Sequence, residues 1–158
     1  MADDVFNIAK GRVAELHNRV NDNDPTNAVL VIMLLKVAEA DGTLEDYDTF
    51  QALLAGSNTE ANFTNYARIE LADTDVAATT VDDTNNNQRA DIGDQTWSSA
   101  GGTLDNTLVK LVIGYAPDST ALPDDSTIVP LCHFDFSATT DGNDLVAVVD
   151  SNGYFSAS

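Results

Sequence analysis

The sequence predicts a mainly β protein: a single antiparallel β-sandwich or jelly-roll-like domain with one short helix packed on it. Three observations carry that prediction. Apolar and polar residues alternate in short segments separated by turn clusters. The acidic residues, 26 against 7 basic ones, are mostly aspartate, which favours turns and loop starts, whereas glutamate favours helices. The 158 residues, 43% of them hydrophobic, suffice for one filled core and are too few for two. Residues 1–158 therefore read as one β domain, with 1–4 as a flexible terminus and 73–94 as a long exposed loop.

Taken in order, Val13–Val20 leads into the turn cluster Asn21-Asp-Asn-Asp-Pro-Thr-Asn27. The apolar run Ala28–Val37 follows, and two readings compete for it. Asp24-Pro25 could cap and start a buried helix. Val29, Val31, Ile32 and Val37 are instead stiff at χ1 and pack well on a pleated sheet, and we take the strand. Thr43–Leu54 reads as the helix. Thr43 would cap it with Asp46 as the acidic half of a capping box. Leu44, Tyr47, Phe50, Leu53 and Leu54 share its apolar face, and Gly56 would end it in a left-handed conformation.

Period-two patterning then takes over, in part over Tyr66–Leu71 and into Trp97. Leu108–Tyr115 reads as a strand ended by Pro117. In Ile128–Phe136 the alternation puts Ile128, Cys132, Phe134 and Phe136 on one face, and His133 and Asp135 on the other, solvated face. Pro130 removes a ladder donor and marks an edge or a bulge. Leu145–Val149 and Gly153–Phe155 flank Asn152-Gly153, a favoured tight hairpin turn.

The charge bounds the partners. A formal net charge of −19 repels phosphate backbones and anionic lipid, so neither nucleic acid nor membrane is an expected partner. The longest apolar run is too short to cross a bilayer as a helix. The acidic start Met1-Ala-Asp-Asp4 lacks the basic and apolar regions of a signal peptide, and the expectation is synthesis without signal-peptide export, in a reducing compartment. One cysteine, Cys132, allows no internal disulfide, and its place on the apolar face makes it a core residue.

No catalytic signature stands out, and the expectation is a protein that is not an enzyme and needs no cofactor. There is no Gly-x-Ser-x-Gly elbow, and Gly101-Gly102 lacks the Lys-Ser/Thr of a phosphate loop. Only His17 and His133 could serve as a base. His133 and Asp135, two apart on one strand face, could orient a general base or hold a metal, but they read as a solvated histidine beside an acid. Asp141, Asn143 and Asp144, with Asn21–Asp24 and Asp82-Asp83, cluster oxygen donors that could take calcium. None follows the twelve-residue loop pattern, and turn residues look the same, so no metal is assigned.

Several stretches resemble a family of small tailed-bacteriophage virion proteins. They are Asn23–Ile32 continuing to Lys36, Asp46–Ala55, Asn58–Arg68, Asp94–Trp97, Ile128–Phe136 and Thr140–Asp144, spread over most of the chain. The resemblance is one of layout and phrase, with no catalytic motif. It implies a structural virion protein: a capsid cement (decoration) protein that binds the outer surface of the major capsid protein and stabilises the head. It would be made in the host bacterial cytoplasm and could self-associate as a dimer or trimer. A phage neck or tail component, or a receptor- or glycan-binding β-module contacting through Asn85–Asn87, is the alternative reading. A hydrolase using His133 and Asp135 is the third.

Overall fold

The computed structural model describes residues 3–120 and 123–157. With 35% strand and 14% helix, the protein is mainly β, with antiparallel sheets and few helices. In chain order the elements are β1 (Asp3–Val5), a 3-10 turn (Asn7–Ala9), α1 (Val13–Asn21), β2 (Val29–Val37), α2 (Asp41–Leu44), α3 (Phe50–Ala55), β3 (Thr59–Glu60) and β4 (Ile69–Leu71). There follow β5 (Thr80–Asp82), β6 (Asn87–Ala90), β7 (Gln95–Trp97), β8 (Thr107–Ala116), β9 (Val129–Thr139), β10 (Leu145–Ala147) and β11 (Phe155–Ala157).

A six-stranded sheet in the order β1-β9-β8-β2-β3, with β4 also paired to β2, forms the frame. The apolar run is its central strand: β2 is buried continuously from Val29 to Leu35, as a strand covered on both faces must be. Asp24-Pro25 lies in the turn before it and starts no helix. Facing residues across the ladders share a side of the sheet. The pairs Ile32–Ile113, Leu34–Leu111, Ile113–Cys132 and Leu111–Phe134 define one face. The pairs Val31–Gly114, Met33–Val112, Val112–His133 and Lys110–Asp135 define the other. Pro130 sits at the expected bulge: the register steps from Ile113–Cys132 to Gly114–Pro130, leaving Leu131 over to bond Phe6 N–H at 3.0 Å.

The first face is covered by two small sheets, β10-β7 and β11-β6-β5, and by α1, which contacts β2 and β6. The second face carries Phe6, whose ring meets that of His133, and α3, whose Phe50 packs on Gly114. A Cβ on Gly114 would come within 2.7 Å of the Phe50 ring, so only glycine admits that approach.

Four expectations need correction. The expected helix Thr43–Leu54 is two helices, and Thr43 lies inside the first. Thr49 caps the second, its side chain accepting Ala52 N–H at 3.1 Å, while Asp46 accepts from Asn7 Nδ2 at 2.6 Å. Thr49, in extended conformation at φ −145° and ψ 157°, separates the two helices, and its local bond starts the second. Leu44, Phe50 and Leu53 are nonetheless fully buried. Gly56 ends α3 at φ −75°, outside the left-handed region, and glycine serves there because a Cβ would strike Tyr47.

The second correction is α1, which brings the α-helices among the described residues to three where one was expected. The third concerns 73–94, which is not a long loop. It holds the β5–β6 hairpin and the buried Val76, Ala90 and Ile92, and Asp82 folds the tip by accepting from Thr84 N, Asn85 N and Asn85 Nδ2. Fourth, Asn152-Gly153 makes a turn, with Gly153 at φ +87°, but the flanking strands do not pair: β10 joins β7 and β11 joins β6. Of the terminus read as flexible, residues 3 and 4 lie in β1, paired to β9, and residues 1 and 2 lie outside the described residues.

Candidate functional site

The structure separates the residues that a hydrolase would have joined. His133 is 0% exposed, on a face covered by Phe6, and is not solvated as alternation suggested. β9 is buried continuously from Pro130 to Phe134, so both of its faces are covered along this stretch. Asp135, 70% exposed at its side chain, binds Lys110 Nζ at 2.6 Å. That hydrogen bond and the lysine charge hold its carboxyl below the usual carboxylate range. Lys110 also binds Asp41 at 2.5 Å, so the ammonium ties α2 to the sheet. Burial alone would lower the Lys110 pKa, but the two carboxylates outweigh it and the net shift is upward. No hydrogen bond joins His133 to Asp135 among the described residues.

The other candidate base, His17, is also buried. Its Nε2 lies 2.8 Å from the Ala77 carbonyl and its Nδ1 lies 3.1 Å from the Tyr154 hydroxyl. With Nε2 protonated and donating to Ala77, Nδ1 accepts from Tyr154, and both ring nitrogens are satisfied. Cys132 is buried on the apolar face, as expected.

The calcium candidates are engaged in hydrogen bonds within the protein. Asp141 accepts from Asn143 N and Asn143 Nδ2, each at 3.0 Å, and Asp144 accepts from Ser99 N at 2.8 Å. Asn21 donates to the Val76 carbonyl, and Asn23 accepts from Asn27 N. The Asp141–Asn143 and Asn23–Asn27 bonds are local turn bonds, and those of Asp144 and Asn21 tie their loops to other segments.

A grouping that the sequence reading missed lies around His133. In the β1–β9 ladder Asp4 faces His133, so the two share one side of the sheet. The bond from Asn7 N to the Glu45 carbonyl, 2.9 Å, pins the end of α2 over that corner, with Leu44 buried as its anchor. One oxygen each from Asp4 and Glu45 and a ring nitrogen of His133 lie within 4.8 Å of one another. Lys10 approaches Glu45 Oε2 at 3.3 Å and donates to Asn7 Oδ1 at 2.6 Å. Among the described residues, neither nitrogen of His133 has a hydrogen-bond partner. Burial, then the Lys110 charge, lowers the His133 pKa against the pull of Asp41, Asp4 and Glu45, which favours the neutral ring. Only the His133 member was legible in the sequence. Asp4 and Glu45 belong to segments far apart in the chain, brought together by a three-residue strand with no periodicity to read.

A second surface feature is an apolar groove where the central sheet meets the segment after β10. Leu111, Phe134, Phe136 and Ala147 line it, with Val148 at 71% exposure on its rim beside Asp150. Val146 is also exposed.

A third cluster is structural. Arg68 holds both oxygens of Glu60 and also pairs with Asp125, and its guanidinium lies 5.5 Å from the Phe50 ring centroid. Tyr66 donates to Glu60 and accepts from Leu34 N, so the network locks the sheet edge to α3. Burial and the Glu60 charge push the Tyr66 hydroxyl far above its ordinary value.

No protein-family model, curated protein or solved structure matches this chain. Among the described residues, no helix is long and apolar enough to cross a membrane.

Proposed function

We propose that this chain is a structural virion protein of a tailed bacteriophage, a capsid cement protein that binds the outer surface of the major capsid protein and acts without catalysis or cofactor. The observation that carries the reading is the apolar groove of Leu111, Phe134 and Phe136 with exposed Val148 at its edge and Asp150 beside it. An apolar centre with an acidic group beside it suits docking on a capsid surface that offers apolar and basic groups. The long ladders β2–β8 and β8–β9 give that face a stiff backing. Lattice attachment through many copies makes a modest interface sufficient. A charge of −19 disfavours the DNA-facing interior and is screened outside within a Debye length of about 10 Å. The resemblance of the segments named above to tailed-phage virion proteins supports the same role, and self-association as a dimer or trimer is compatible with it.

Imaging of intact virions tests the proposal. Density for the protein is expected in many copies on the outer lattice, and particles lacking it should assemble but lose DNA at a lower temperature than complete ones. A dozen or fewer copies at the tail would sink the cement role and favour the neck or tail component. Val148→Asp should abolish binding to capsids while leaving the fold intact, and undiminished binding would exclude the groove as the docking face.

A further inference from the structure

We infer that Asp4, Glu45 and His133 form a binding site for one divalent transition cation of the zinc type, which pins β1 and the end of α2 to β9. The inference begins with a deficit. A fully buried imidazole with two unpartnered nitrogens forfeits hydrogen bonds that it had in water, and native proteins seldom leave such a group unserved. The ring contact with Phe6, centroids 5.3 Å apart at 80°, packs the imidazole and satisfies neither nitrogen. Two carboxylates converge on the same corner, and no cation pairs with Asp4 among the described residues.

The donor set selects the ion. One imidazole nitrogen with two carboxylate oxygens suits zinc and its neighbours, whereas calcium and magnesium take oxygen shells of six or more. Ligand bonds of about 2.0–2.1 Å require donors roughly 3.4 Å apart in a tetrahedron, so side chains now within 4.8 Å need only a modest closure. Water fills the fourth position. Lys10, bound to Glu45 Oε2 and braced by Asn7, orients the carboxylate from outside, as partners of metal ligands commonly do.

The test uses the full chain, stripped with a chelator and titrated with zinc chloride in 0.5 M sodium chloride with excess magnesium, so that diffuse attraction to the acidic surface is suppressed. One saturable equivalent of zinc is expected, with a rise in melting temperature that calcium and magnesium do not reproduce and a shift of the His133 ring-nitrogen resonances. The double variant Asp4→Asn/Glu45→Gln should keep the melting temperature of the stripped wild type and lose at least tenfold in zinc affinity. His133→Leu should abolish the saturable site. Absence of a saturable site in the wild type, unchanged affinity in the double variant, or unmoved His133 resonances at saturation would each overturn the inference. The cement proposal does not depend on this outcome.

Discussion

On one face of the central sheet, Leu30, Ile32, Leu34, Ile113 and Phe134 are all buried and all apolar. On the other, the same strands carry Lys110, His133 and Asp135 among Met33 and Val112. The first face needs only shape complementarity, which α1 and the small sheets supply. The second must serve an ammonium and an imidazole under a cover of short helices. Lys110 is served by Asp41 and Asp135, and no hydrogen bond among the described residues serves His133. Burial alone therefore does not distinguish a packing surface from a chemical one. The distinguishing quantity is the balance of polar groups against partners, and within the central sheet, among the described residues, it fails where β1, α2 and β9 meet.

The largest expected effect tests the helical cover. Leu53 is fully buried on α3, and Leu53→Asp should cost more than about 4 kcal/mol by burying an unpaired charge. Denaturant unfolding measures it, and an unchanged midpoint would mean that α3 is detached from the sheet in solution.

The next two substitutions set the faces against each other. Ile113→Ala removes packing from the apolar face and should cost about 2–5 kcal/mol. His133→Leu removes a side chain of similar reach but also deletes two unpartnered nitrogens. In chelator it should leave stability unchanged or raise it by about 1–2 kcal/mol. If His133→Leu proved as damaging as Ile113→Ala, the nitrogens must have partners in solution and the contrast between the faces would disappear.

These expectations rest on parts of the molecule that were unequally legible in the sequence. The long central strands could be read because Ala28–Leu35, Leu108–Tyr115 and Ile128–Phe136 carry enough apolar residues to declare a strand and its faces. Asp24-Pro25 gave a rival helix start, and the β-branched residues decided correctly. The α1 stripe of Val13, Leu16, His17 and Val20 has helical spacing and was readable, but the aspartate-rich composition drew attention to turns. The β5–β6 hairpin was not readable, because its strands are short and polar and gain their order from neighbours. Alternation placed His133 opposite Cys132 and was right about the face. It could not say that this face is also covered, since coverage depends on where Phe6 and α2 fold. The Asp4–Glu45–His133 corner is a tertiary product for the same reason.

The smallest expected effect is a pH dependence carried by the satisfied histidine. His17 is packed against Tyr154 and the Ala77 carbonyl, with Asp91 as the charged group acting on it. Burial lowers its pKa, and the Ala77 carbonyl and Asp91 offset this only in part. The unfolded chain, with a histidine pKa near 6.5, thus takes up a proton before the folded chain does. Stability from this group is complete above that value, declines as pH falls from it toward the folded pKa, and levels off below. The slope cannot exceed about 1.4 kcal/mol per pH unit for one proton. Two other processes must be separated from it. The lowered carboxyls of Asp82, Asp118, Asp124 and Asp135 act in the same direction but at more acid pH, around their ordinary value of 3.8. Relief of self-repulsion among the surplus acids acts in the opposite direction and is suppressed by salt. Urea unfolding between pH 7.5 and 5 in 0.5 M salt, carried out in the His133→Leu chain so that His17 is the one histidine left, should show stability falling with pH. His17→Gln should flatten that slope, at some cost in stability at pH 7.5. A slope that survives His17→Gln would place the titrating group elsewhere and remove His17 as its source.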